Sequence, residues 1–183
     1  MHKSDKYQLS FTILIIAINL CTFFYVHPLR QNLSDLGNAL GHRGYLILWG
    51  CSAAIYFYIY TMQYIKKSGL SHPLIQLFLL FACCCMILSV CIPYLPAEFP
   101  LLSKWHTRIA MLGTVLYVLI MFYLLCESIK MNYSFFQTTF YPYCLLVAFD
   151  LLLYLLNGGV STLLEVTFTI GMSIYLYWIK RIM

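Results

Sequence analysis

"PLIQLFLLFACCCMILSVCIPYL", residues 73–95, contains no charged side chain. It does not alternate apolar and polar residues, as a half-buried strand would. Its length suits a helix that crosses a bilayer, which needs roughly 20 apolar residues. A barrel strand would be about ten residues long and would alternate. Inside hydrocarbon the backbone has no water to bind, so only helices and closed barrels satisfy it. The stretch therefore reads as a membrane-spanning helix, and the same test applied outward decides the rest of the chain.

Five more runs pass that test. Spans are expected at about 9–26, 44–65, 73–95, 105–128, 139–156 and 161–179. His27-Pro28, Lys66-Lys67-Ser68-Gly69, "PAEFPLLSK" (96–104) and Asn157-Gly158-Gly159 separate them. Pro and Gly are the strongest local breaks. Composition agrees: 62% of the 183 residues are hydrophobic and 9% are charged, against about a quarter charged in soluble domains. The expected fold is all-α, a single polytopic domain of six transmembrane helices over residues 1–183. The first run follows "MHKSDK" and ends in bulky "CTFFYVHP". It lacks a small-residue cleavage site and so reads as a retained span.

The eight cysteines all lie in apolar runs without CxxC spacing. That pattern suits packing better than a disulfide framework or a zinc site, and no metal is expected. No nucleic-acid partner is expected either. No cofactor is identified. His42 and His106 as a haem pair are disfavoured, because b-type cytochromes carry their histidines deeper in the helices.

Positive charge gathers on cytoplasmic loops. With both termini inside, Lys3, Lys6, Lys66, Lys67, Lys130, Lys180 and Arg181 face the cytoplasm, and Arg30, Arg43, Lys104 and Arg108 face out. Seven against four supports that orientation, in a bacterial plasma membrane. It places "HPLRQNLSDLGNALGHRGY" (27–45) outside. Leu33, Leu36 and Leu40 there lie on one helical stripe, which suggests a short helix in the membrane surface. Ser34 or Asp35 is placed to cap it and Gly41 to end it.

Ser34, Asp35, His42, Arg43, His106, Arg108, Asp150 and Glu165 all fall in the outer half under this topology. Acids within a span are expensive and face the bundle interior. Asp150 shares a face with Tyr154 and Asn157, and Glu165 with Thr169. Either acid also suits a packing pair with Arg43 or Arg108. His106, at the start of its span, has Ala110, Gly113 and Tyr117 below it. The two small residues leave room for another helix or a ligand. Glu127 and Lys130 suit a solvated pair.

Two motifs carry a resemblance. "PLRQNLSDLGN" (28–38) resembles the P-x-x-x-x-[IL]-S-D-x-G element of the bacterial and archaeal family catalogued as domain of unknown function 998. "EFPLLSKWHTRIAMLG" (98–113) is similar to that family's later Phe-Pro and histidine element. A wider six-span group that includes the DRAM autophagy modulators has a related first element. The matching residues are Pro28, Ser34, Asp35, Gly37, Phe99, Pro100 and His106; Ser103 and Lys104 stand where the family has an acid. The resemblance implies the six-span fold and an outward Ser-Asp and His pair.

The expected function is an outward-facing polar cavity that binds a small polar or lipid-headgroup ligand. The alternatives are a non-catalytic scaffold or assembly partner, and a membrane-embedded lipid hydrolase or transferase. Partners are the lipid bilayer and a lipid or small polar ligand, with oligomerisation left open. The residues do not decide whether the chain is an enzyme.

Overall fold

The structure is a computed structural model that describes residues 3–70, 72–130 and 132–183. Among these residues every regular element is helical. The helices are α1 (Lys3–Cys21), α2 (Leu33–Asn38), α3 (Arg43–Ser68), α4 (Pro73–Cys91), α5 (Pro100–Glu127), α6 (Tyr133–Asn157) and α7 (Thr162–Ile182). A 3-10 turn, Thr22–Phe24, extends α1. All except α2 are long and apolar enough to cross a membrane, which makes six.

Local chemistry sets the ends. Pro73 and Pro100 stand in the first turns of α4 and α5, where a missing N–H leaves no helical bond unmade. Asn132 and Ser161 cap α6 and α7 by accepting from Phe135 N (3.1 Å) and Leu164 N (3.4 Å). Gly69 and Gly158 close α3 and α6 with φ of 69° and 66°, the left-handed conformation that glycine adopts most cheaply.

Three helices start earlier than the apolar runs suggest, α1 among them, at Lys3 rather than near Leu9. α5 begins at Pro100 rather than near Trp105, and α6 at Tyr133 rather than Thr139. Their first turns are mixed in polarity but are started by Pro100 and by the Asn132 cap. His106 therefore sits six residues inside α5, about 9 Å from its start, rather than opening it. α4 stops early, at Cys91, because Pro93 follows. The residue before a proline is pushed out of helical geometry, and Ile92 is extended (φ −83°, ψ 132°).

α3 is the central helix, in contact with α1, α2, α4 and α7. α4 packs along α5, and α6 joins α5 to α7. The close fit of α4 on α5 needs Gly113: a Cβ there would lie 2.8 Å from the Ala82 carbonyl oxygen. Of the two small positions below His106, Gly113 thus receives a helix.

Buried tyrosines tie the bundle across helices. Tyr56 donates to the Ser173 carbonyl (3.0 Å), joining α3 to α7. Tyr117 pairs with Thr61 Oγ1 (2.9 Å), joining α5 to α3. Tyr143 donates to the Val118 carbonyl (2.6 Å), joining α6 to α5. Lys66, Lys67, Lys130, Lys180 and Arg181 cluster at one end of the bundle, where α3, α5 and α7 finish. Glu127 and Lys130 form the expected pair there, at 2.7 Å.

Tyr143→Phe should lower stability in detergent by about 0.5–1.5 kcal/mol, the range for a bond between membrane helices. Thermal unfolding of the purified protein measures this, and an unchanged midpoint would show that this bond does not hold α6 to α5.

Candidate functional site

The bundle end opposite the lysines is built on the first connection. The chain from Pro28 to Leu33 lies across the start of α7 and satisfies its free N–H groups. Thr162 N–H and its hydroxyl both donate to the Gln31 carbonyl, at 2.8 Å each. Leu163 N–H donates to the Pro28 carbonyl (2.9 Å). In return Glu165 Oε2 accepts from Leu33 N–H (2.7 Å). The first turn of a helix has N–H groups with no partner in the helix, and here a distant loop supplies the acceptors.

α2 follows this strap. Its cap is Asn32, whose Oδ1 accepts from Asp35 N (2.9 Å) while Asp35 Oδ2 accepts from Asn32 N (3.0 Å). This is a reciprocal capping box. Asp35 is thereby a structural residue of the helix start, and neither it nor Ser34 is the cap itself. The leucine stripe of α2 meets the bundle only in part. Leu33 and Leu36 are both 0% exposed and pack with Val26, Leu46 and Val90, while Leu40 falls beyond the helix and is 44% exposed. The strap presses α2 into the bundle end, so its apolar side meets protein. Gly37 allows this, since a Cβ there would overlap the Leu46 side chain.

Ser34, on the inner side of α2, meets His106 on α5. Ser34 Oγ and His106 Nε2 are 2.7 Å apart, and both residues are buried. His106 Nδ1 lies 3.0 Å from the Ile92 carbonyl. A carbonyl can only accept, so Nδ1 carries the ring proton. In the neutral ring Nε2 is then the acceptor, and the Ser34 hydroxyl donates to it. The Ile92 carbonyl is free for this role because Pro93 has ended α4 and Pro96, four positions on, has no N–H to offer it.

Arg43 uses a neighbouring free carbonyl. It donates to Cys91 O (2.6 Å) and to Asn38 Oδ1 (2.9 Å), and Asn38 Nδ2 donates to Ser34 O (2.9 Å). Arg43 therefore clamps α2, α3 and α4 together. His42 is exposed at the start of α3 with its ring 4.9 Å from that of Tyr25. Arg108 is exposed on α5.

Behind Ser34 and His106 lies a cavity of about 380 Å³ among α3, α4, α5, α6 and α7. Small-molecule sites run from roughly 300 to 1,000 Å³. Ser34, Ser89 and His106 line one side of its polar end, and Asp150, Tyr154 and Glu165 the other. Helical rise gives the depths: His106 is about 9 Å into α5, Asp150 about 10 Å from the end of α6, and Glu165 about 5 Å into α7. Below them the walls are mainly apolar, with Thr114 on α5 and Thr169 on α7 among them. The lining continues along α5 to Leu119, about 20 Å from His106. Met111, Val115 and Leu119 on α5 and Leu151 on α6 line it and are also exposed, so the cavity opens sideways between these two helices. Ala110 lines it as well, and so supplies the room for a ligand that its size suggested.

Four of the eight candidate residues thus meet at one cavity: Ser34, His106, Asp150 and Glu165. Asp35, His42, Arg43 and Arg108 do not line it. Neither acid is ion-paired with Arg43 or Arg108; among the described residues Glu127–Lys130 is the ion pair found. Asp150 Oδ1 accepts from Thr167 Oγ1 (3.0 Å), while its Oδ2 is buried without a hydrogen bond. Among the described residues no three His, Cys, Asp or Glu side chains gather to hold a metal. The residues that sequence reasoning missed are Ser89, Thr114 and the Ile92 carbonyl. Pro93 was the available signal for the last.

A second cavity, of about 420 Å³, lies at the basic end between Tyr60, Tyr64, Lys66, Lys67 and Ile179. Both Lys66 and Lys67 are exposed, so water already solvates them. No protein-family model, curated protein or solved structure matches the chain.

Glu165→Ala should leave Leu33 N–H without its acceptor, at a cost of about 1–3 kcal/mol. Glu165→Gln keeps an acceptor oxygen and should retain most of that stability. Denaturation in detergent, with proteolysis of residues 27–42 as a local readout, separates the two. Equal behaviour of both variants with the parent would remove Glu165 from the account of the strap.

Proposed function

We propose that this chain is a multi-pass protein of the plasma membrane, with both termini in the cytoplasm, that binds a lipid in the cavity between α5 and α6. The observation that carries this reading is the division of the cavity. Its histidine and both acids sit at one end, and about 20 Å of mainly apolar wall follows, with the hydroxyls of Thr114 and Thr169 in it. An amphiphile has the same division. In the proposed orientation the polar end lies towards the outer face and the basic end towards the cytoplasm, as the positive-inside rule favours. The side opening then faces the hydrocarbon, so a lipid reaches the site without crossing water.

The polar end suits a headgroup with hydroxyl or amine donors. Asp150 Oδ2 is a buried acceptor without a partner, and burying such a group is unfavourable unless it is bonded. Tyr154, one turn along α6, and Glu165 also line the cavity. The resemblance to the domain-of-unknown-function 998 family belongs to this proposal: the Ser34 of its first motif and the His106 of its second are the two residues in contact.

Native mass spectrometry of protein released from mild detergent should find about one bound lipid per chain. Ala110→Phe places a ring in the cavity and should reduce that occupancy at least about tenfold, with the fold retained by circular dichroism. Equal lipid in the parent and the variant would end this reading.

A further inference from the structure

We infer that Ser34 and His106 form a nucleophile–base pair that cleaves or transfers the acyl group of a lipid ester held in the cavity; this rests on the lipid-binding reading above. Nucleophilic catalysis by serine needs three things in fixed relation. The hydroxyl must donate to a base, the base must be held in the right tautomer, and space for the reacting carbonyl must lie beside the hydroxyl. Ser34 Oγ is 2.7 Å from His106 Nε2. The Ile92 carbonyl, 3.0 Å from Nδ1, keeps the proton on that nitrogen and leaves Nε2 free to accept. Both side chains line the cavity. They come from segments 72 positions apart, so local chain geometry does not force the contact.

The substrate class follows from the position of the pair. It stands in the polar end, level with Asp150 and directly above the mainly apolar walls. In an acyl lipid the ester lies at the corresponding level, between headgroup and chain.

In the first half of the reaction Ser34 Oγ attacks the ester carbonyl carbon while its proton passes to Nε2. The tetrahedral adduct collapses by breaking the bond to the alkoxy oxygen. The departing alcohol takes the proton from Nε2, and the acyl group remains on Ser34. In the second half water, or a second alcohol for transfer, gives its proton to Nε2 and attacks the acyl carbon. The bond to Oγ breaks and Oγ recovers the proton. Ester plus water becomes acid plus alcohol, and nothing is oxidised or reduced. The orienting group is a neutral carbonyl rather than a carboxylate. It therefore fixes the tautomer but stabilises the imidazolium less, and turnover is expected to be slow.

The test uses the full chain in detergent or nanodiscs and a fluorophosphonate probe with a long alkyl chain, with adducts located by peptide mass spectrometry. Ser34 should be modified. His106→Gln keeps an acceptor for the Ser34 hydroxyl, so it preserves a merely structural contact but removes the base. It should slow labelling about 100-fold or more, the scale of general base catalysis, with melting and lipid occupancy unchanged. Lipid content is measured on the same samples. Parent protein that holds lipid yet leaves Ser34 unmodified overturns the nucleophile alone, as does labelling undiminished in His106→Gln. Parent protein that holds no lipid and carries no adduct overturns both readings. A Ser34 adduct in lipid-free protein overturns the binding reading alone.

Discussion

The hydrogen bonds between the first connection and the start of α7 hold the rest of the site in place. Gln31 and Pro28 offer carbonyls, Thr162 and Leu163 offer N–H groups, and Glu165 answers with a carboxylate on Leu33 N–H. Each side satisfies polar groups that the other could not satisfy within its own helix. Without them, α2 would be a six-residue helix, too short to persist alone. With them, Leu33 and Leu36 are pressed into an apolar cluster and Ser34 is aimed at α5. An acid in an apolar helix here serves a neighbouring backbone rather than an arginine.

The break in α4 supplies the second half of the arrangement. The last carbonyls of a helix lack partners, and Pro93 prevents the chain from continuing to provide them. Arg43 takes the carbonyl of Cys91 and His106 that of Ile92. One interruption therefore anchors the clamp on α2 and sets the imidazole. The ring of Tyr94, next along the chain, stands 5.3 Å from that of His106.

The helical class and the number of long apolar helices were legible because continuous apolar runs leave the backbone few alternatives. Their starts were less so: the first turns of α5 and α6 are mixed in polarity, and only Pro100 and Asn132 announce them. The meeting of Ser34, His106, Asp150 and Glu165 was legible only as a shared depth, since which side of a helix faces which neighbour depends on packing. The other four candidates do not line the cavity: Asp35, singled out by its motif, and Arg43 spend their charge on helix ends, and His42 and Arg108 lie exposed. Of the leucine stripe, Leu33 and Leu36 share the buried side of α2, while Leu40 falls beyond the helix. The strap that turns them inward was not legible, because it is made largely of main-chain atoms.

That main-chain origin extends to the group that orients His106. A carbonyl is common to all twenty amino acids, so no replacement of the Ile92 side chain removes it. Alanine scanning would pass over position 92, and related chains could differ there while keeping the same acceptor. The constraint falls instead on two prolines: Pro93 ends α4, and Pro96 stands where a continued helix would offer that carbonyl an N–H. The substitutions that reach this atom therefore belong to other residues.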